Sequence, residues 1–153
     1  MPLIIYKNNK SDFVVYKNIW TTKIKYKERL NGLTFTAAEQ NSTICIEKIG
    51  SYALPELNLE YTLDNNNWYD YEENQIIKLE NIGDSVALRS KVFRTEFNNH
   101  DAFFSHDTYR RFKMTGRIKA SNSVNYLINP YGRNIALGRF CYAFLFEACE
   151  SLI

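Results

Sequence analysis

The chain has 153 residues, 45% hydrophobic and 15% aromatic, with a formal charge of +2. That length suits one domain with appendages, and the apolar fraction is enough for a core. The absence of any run of about 18 apolar residues excludes a membrane-crossing helix. The opening Met1-Pro2-Leu3-Ile4-Ile5-Tyr6-Lys7-Asn8 lacks the basic start and long apolar stretch of a secretory leader. The expectation is a protein made and kept inside a cell, unless it leaves by assembly into a particle.

With 11 Tyr and 10 Phe against 6 Gly and 3 Pro, the composition favours strands. The small net charge covers a basic stretch over 1–31, an acidic one over 32–107 and a second basic one over 108–153. Ordinary solvated faces account for this pattern, and so does docking between copies or onto an acidic partner. The lysines form no recognisable nucleic-acid motif, so no nucleic-acid partner is expected. Cys45, Cys141 and Cys149 are odd in number and loosely spaced, which argues for small buried residues rather than a disulfide framework or metal ligands.

A repeat of ten residues opens the chain: Ile5-Tyr6-Lys7-Asn8, Val15-Tyr16-Lys17-Asn18 and Lys25-Tyr26-Lys27-Glu28. It predicts a short-strand arm over 1–31, with turns at 8–12 and 18–22. Three short strands bury too little apolar area to stand alone. Tyr6, Tyr16 and Tyr26 therefore either pack on the next domain or dock on another subunit.

From Leu33 the pattern is all-β. Leu33–Ala37 alternates apolar and polar residues, and a turn at 39–42 leads to a strand over Thr43–Lys48. Leu57, Leu59, Tyr61 and Leu63 alternate in a third strand. Asp64-Asn65-Asn66-Asn67 is turn chemistry, because Asp and Asn tolerate positive φ and bond their own backbone. Trp68–Tyr71 returns, Gln75–Leu79 and Ser85–Arg89 flank a turn at 81–84, and a long polar loop runs from Phe97 to Thr108. Tyr109–Gly116 and Arg117–Ala120 supply the last strands. Short strands at this spacing predict an antiparallel β-sandwich over 32–121. Val124–Ile128 predicts a further strand. Gly138–Ala148 predicts a short amphipathic helix with Phe140, Phe144 and Ala148 on one face and Leu145 beside them.

Few constellations carry chemistry. His100, Asp101, His106 and Asp107 sit close together in the polar loop, yet nothing nearby completes a tetrahedral ligand set. A solvated loop is the expectation there, with Phe103 and Phe104 as anchors for a partner. The oxygens of Asp64–Asn67 do not follow calcium-loop spacing. Glu72 and Glu73 would act as acid and base only inside a cleft that separates their pKa values. No nucleophile elbow, phosphate loop or dinucleotide fingerprint occurs. The expectation is a protein that is not an enzyme, with no cofactor and no metal.

The end of the chain, Cys141-Tyr142-Ala143-Phe144-Leu145-Phe146-Glu147-Ala148-Cys149-Glu150-Ser151-Leu152, resembles one leucine-rich repeat of the BspA-like kind, C-Y-x-x-M-F-x-x-C-x-S-L. Leu145 replaces Met, and Ala148 stands where Gly is common. Leu33–Ala37, Leu59–Thr62 with Trp68, Gly83–Val86 with Arg89 and Phe112–Ile118 resemble an Ig-like domain that precedes such repeats. These occur in surface proteins of gut Bacteroidales and in virion proteins of their crAss-like phages. The resemblance implies an Ig-like sandwich at 32–121 and a single α/β repeat-like cap at 122–153. It also implies a non-enzymatic structural protein: a capsid decoration, head fibre or tail fibre in a virion. The alternative is a truncated cell-surface adhesin, and a metal hydrolase or carbohydrate-active fragment ranks below both. The partners implied are other virion or capsid proteins, further copies of the chain and a host surface glycan, without membrane insertion. A lone repeat cannot bury its apolar face, so Tyr6, Tyr16, Tyr26, Phe103, Phe104, Phe140, Phe144 and Leu145 are the candidate interface residues.

Overall fold

The computed structural model describes residues 30–93, 96–97, 103–105, 107–133, 136–137 and 141–153, with two short stretches of the arm. The chain divides into two compact units, residues 1–30 and 31–153. In the first, β1 (Lys7–Asn8) and β2 (Ser11–Asp12) pair antiparallel, Lys7 opposite Asp12, so Asn8, Ser11 and Asp12, which the sequence pattern assigns to a turn, lie in strands. The remaining arm strands, and Tyr6, Tyr16 and Tyr26, lie outside the described residues.

The second unit is a two-sheet antiparallel β-sandwich. It is built from β3 (Leu33–Ala37), β4 (Ser42–Ile49), β5 (Leu59–Thr62), β6 (Tyr69–Asp70), β7 (Ile77–Leu79) and β8 (Ser85–Ser90). A short β9 (Glu96–Phe97) follows, then β10 (Phe104–Ser105), β11 (Thr108–Thr115), β12 (Ile118–Ser121) and β13 (Ala136–Leu137). One sheet has the order β12-β3-β8-β5-β6 and the other β10-β11-β4-β7, while β9 and β13 form a separate parallel pair. Alternation selects the inner faces. Leu33, Phe35 and Ala37 of β3, Ile44 and Ile46 of β4, Val86 and Leu88 of β8, and Phe112 of β11 are all buried. Phe35 and Phe112 meet across the two sheets with ring centroids 4.9 Å apart. A buried side chain of this size stabilises the fold by about 1.5–3 kcal/mol.

Turn chemistry falls where the sequence places it. Asn41, Asn65, Asn74 and Asn122 all take positive φ, the conformation Asn tolerates best after Gly. Gly116 turns β11 into β12 at φ 74°, and a Cβ there would lie 2.4 Å from the Ser42 hydroxyl. The carboxylate of Asp64 accepts from the backbone N–H of Asn66 and Asn67, at 2.9 and 2.8 Å.

Two buried polar side chains tie loops to the sheets. The β4–β7 ladder stops at Ile44, which leaves the next edge groups of β4 to find other partners. The Tyr71 hydroxyl accepts from Ile46 N at 2.6 Å and donates to Gln75 O at 2.9 Å, and Asn74 N donates to Ile46 O at 3.0 Å. Burial pushes the Tyr71 phenol well above its ordinary range. Arg110, inward on β11, donates to Glu73 Oε1 at 2.5 Å and to Pro55 O at 2.8 Å.

The C-terminal expectation requires correction. Residues 141–149 form successive tight turns, not an amphipathic helix. Leu145 N, Glu147 N and Cys149 N donate to Tyr142 O, Phe144 O and Phe146 O, at 3.2, 2.9 and 3.2 Å. Phe144 and Ala148 hold φ of 62° and 53°, which a right-handed helix cannot contain. The sheet edge competes for the same backbone. Phe112 N donates to Leu145 O, Ile118 N to Ser151 O and Ile153 N to Ile118 O, at 2.8, 2.8 and 2.9 Å. The expected stripe is correspondingly turned over: Cys141 and Leu145 are buried, while Phe144 and Ala148 are exposed. Val124–Leu127, expected as a strand, is a 3-10 turn capped by the Ser123 hydroxyl, which accepts from Asn125 N. Local side-chain capping of this kind draws backbone away from a sheet. The described residues of 122–153 therefore form no α/β cap. The end of the chain is a strap along the sandwich edge, within the same compact unit.

Candidate contact surface

The outer face of β11 and β4 gathers the polar and aromatic groups that the inner face excludes. Tyr109, Arg111 and Lys113 alternate with inward Arg110 and Phe112. Opposite them, Glu47 faces Arg111 and Cys45 faces Lys113. Arg111 bridges Glu47 at 2.9 Å and Glu147 of the strap at 3.1 Å. Lys113 adds a second bond to Glu47 at 3.2 Å. The Tyr109 hydroxyl donates to Glu147. Further along, the Thr43 and Thr115 hydroxyls pair at 2.6 Å.

The electrostatics follow from this ladder. Burial pushes the Glu47 carboxyl up, but the bonds from Arg111 and Lys113 outweigh it and hold the group below its ordinary value. The Glu47 bond raises the Arg111 guanidinium above its already high range, and the Glu147 bond raises the Tyr109 phenol. Among the described residues of this ladder two cations face two anions, Arg111 and Lys113 against Glu47 and Glu147.

Aromatic rings border the ladder. Phe104 on β10 is the register partner of Tyr109. Phe144 of the strap lies 4.9 Å from Tyr109 and 6.2 Å from Phe104, centroid to centroid, and is 50% exposed. The adjacent Phe103 points the other way, 1% exposed and 6.0 Å from Tyr142. Phe103 lies one residue before β10, where its carbonyl accepts from Arg110 N at 2.8 Å.

Of the candidate residues, the fold brings Phe104 and Phe144 together. It places Phe103 and Leu145 in the chain's own core, and Phe140 lies outside the described residues. His100, Asp101 and His106 also lie outside them, and Asp107 is exposed. Glu73 is paired with Arg110 and Glu72 is exposed, so the acidic pair is drawn apart in role. The three cysteines are free: Cys141 is buried, and Cys45 and Cys149 are half-buried. Sequence reading missed Tyr109, Arg111, Lys113, Glu47 and Glu147 as a set. The period-two pattern on β11 could have flagged the first three, whereas Glu147 joins them only through the strap.

On the opposite sheet, the Arg89 guanidinium lies 3.5 Å above the Trp68 ring and bonds Glu60 at 2.7 Å. Here a cation is already spent on an aromatic face, and this pair covers the sheet rather than offering it.

The fold defines an antiparallel β-sandwich protein with an aromatic-edged outer face of paired charges. No protein-family model, curated protein or solved structure matches the chain.

Proposed function

We propose that this is a non-enzymatic structural and binding protein: a virion component that docks on a particle and presents its sandwich outward. The observation that carries the binding part is the convergence of Phe104 and Phe144 with Tyr109 on one solvent-facing surface. Aromatic side chains held rigidly at a surface are the residues that anchor partners. The virion part rests on the resemblance of residues 33–153 to sandwich-plus-repeat proteins of gut bacteria and their phages. Attachment to the particle, and contact between copies, falls to the arm or to this face, because the strap's Leu145 and Cys141 are already covered by its own sandwich.

Mass spectrometry of purified particles, with light scattering on the isolated protein, tests this reading. The protein is expected in particles in many copies and as an oligomer in solution. A stable monomer absent from particles overturns it.

A further inference from the structure

We propose that the outer face of β11, edged by Phe104 and Phe144, is a binding site for an uncharged oligosaccharide. This rests on the binding-protein reading above and names its ligand class.

Three observations carry it. The first is the backbone of Phe144. Among the described residues, the non-glycine positions with positive φ are four asparagines, Phe144 and Ala148. A bulky aromatic in that region is an outlier for which the fold must compensate, and such strain concentrates at functional positions. Here it holds a half-exposed ring against Tyr109 and Phe104 rather than turning it inward, where Phe146 stacks on Phe112 at 5.4 Å. The second is charge. The groups beside the ring are Glu47, Glu147, Arg111 and Lys113, already bonded to one another and balanced in sign. An anionic or cationic ligand would have to break those pairs to gain its own. A neutral polyol uses them as they stand, accepting from the guanidinium and ammonium and donating to the carboxylates. The third is shape. From Tyr109 to Thr115 the face runs about 20 Å along a strand, ending at the hydroxyl pair of Thr43 and Thr115. That is a linear track, with an aromatic platform at one end for the apolar face of a sugar ring.

The test uses the full chain labelled with ¹⁵N and titrated with soluble hexamers of glucose, mannose, galactose and N-acetylglucosamine, and with a sulfated hexasaccharide. Saturable shifts are expected for a neutral hexamer, centred on residues 109–115 and 142–149 and insensitive to salt between about 50 and about 500 mM. Phe144→Gly, which removes the ring and relaxes the backbone, weakens binding at least about tenfold while the rest of the spectrum stays native. Phe104→Ala weakens it in the same direction, and Phe93→Ala, in a separate exposed aromatic pair with Tyr131, leaves it unchanged. The proposal is overturned if no neutral hexamer gives saturable shifts, if Phe144→Gly binds as well as the parent, or if only the sulfated sugar binds and salt abolishes it. Failure here with the protein still present in particles removes the sugar site alone. Sugar binding by a protein absent from particles removes the virion reading alone.

Discussion

Asp64 shows how a single turn residue carries a pH signature. Backbone N–H groups of Asn67 and Asn66, followed by the Asn67 side chain, bond its carboxylate and lower its pKa from 3.8 to about 2. The folded pKa lies below the unfolded one, so the group's contribution to stability is complete above the ordinary value and is lost as pH falls through about 2. A carboxyl-detected titration is expected to place Asp64 near 2, and the acid sensitivity of Asp64→Ala is expected to differ from the parent only below pH of about 4. Ala148 tests the strap in the same way. At φ 53°, Ala148→Gly is expected to stabilise by about 1 kcal/mol. In a helix the same change would destabilise by about as much, so the sign of the shift in a denaturant melt separates the two structures.

At the scale of elements, the strands follow from alternation and the connections from tethering. Tyr71 joins the β6–β7 loop to the edge of β4 through both atoms of its hydroxyl. Tyr71→Phe strips a partner from the buried Ile46 N–H and is expected to cost about 1–3 kcal/mol, read by chemical denaturation. The strap makes a sharper case. A helix with Phe140, Phe144 and Ala148 inward would make Phe144 the core residue, yet it is Phe146 that stacks on Phe112. Phe146→Ala is expected to destabilise by about 2 kcal/mol, and clearly more than Phe144→Ala. Equal losses would contradict the strap. Alternation made β3, β4, β5, β8 and β11 legible in the sequence, because one face of each had to be apolar. The strap was not legible, since its spacing of Cys141, Leu145 and Cys149 fits helix and successive turns alike. Phe104 was legible as one of two adjacent aromatics in a polar loop, and Phe144 only as part of an expected helical face; their meeting was not legible.

For the whole molecule, the division into residues 1–30 and 31–153 makes a prediction about folding. Among the described residues, the core, the Arg110 and Tyr71 tethers and the strap lie within 31–153. A chain of residues 31–153 is therefore expected to keep its β circular dichroism and to melt cooperatively within a few degrees of the parent. Loss of cooperative melting would show that the arm contributes to the core.

The amino-acid order by itself determined the all-β class, the main strands and the Asn and Gly turns. These depend on period-two burial and on side chains acting within a few residues. Only the tertiary structure decided the conformation of residues 141–153, the pairing of Glu147 with Arg111 and the opposite fates of Phe103 and Phe104. Each of those turns on which backbone groups lie open along a distant sheet edge, and a local pattern carries no record of a partner that folding alone brings near.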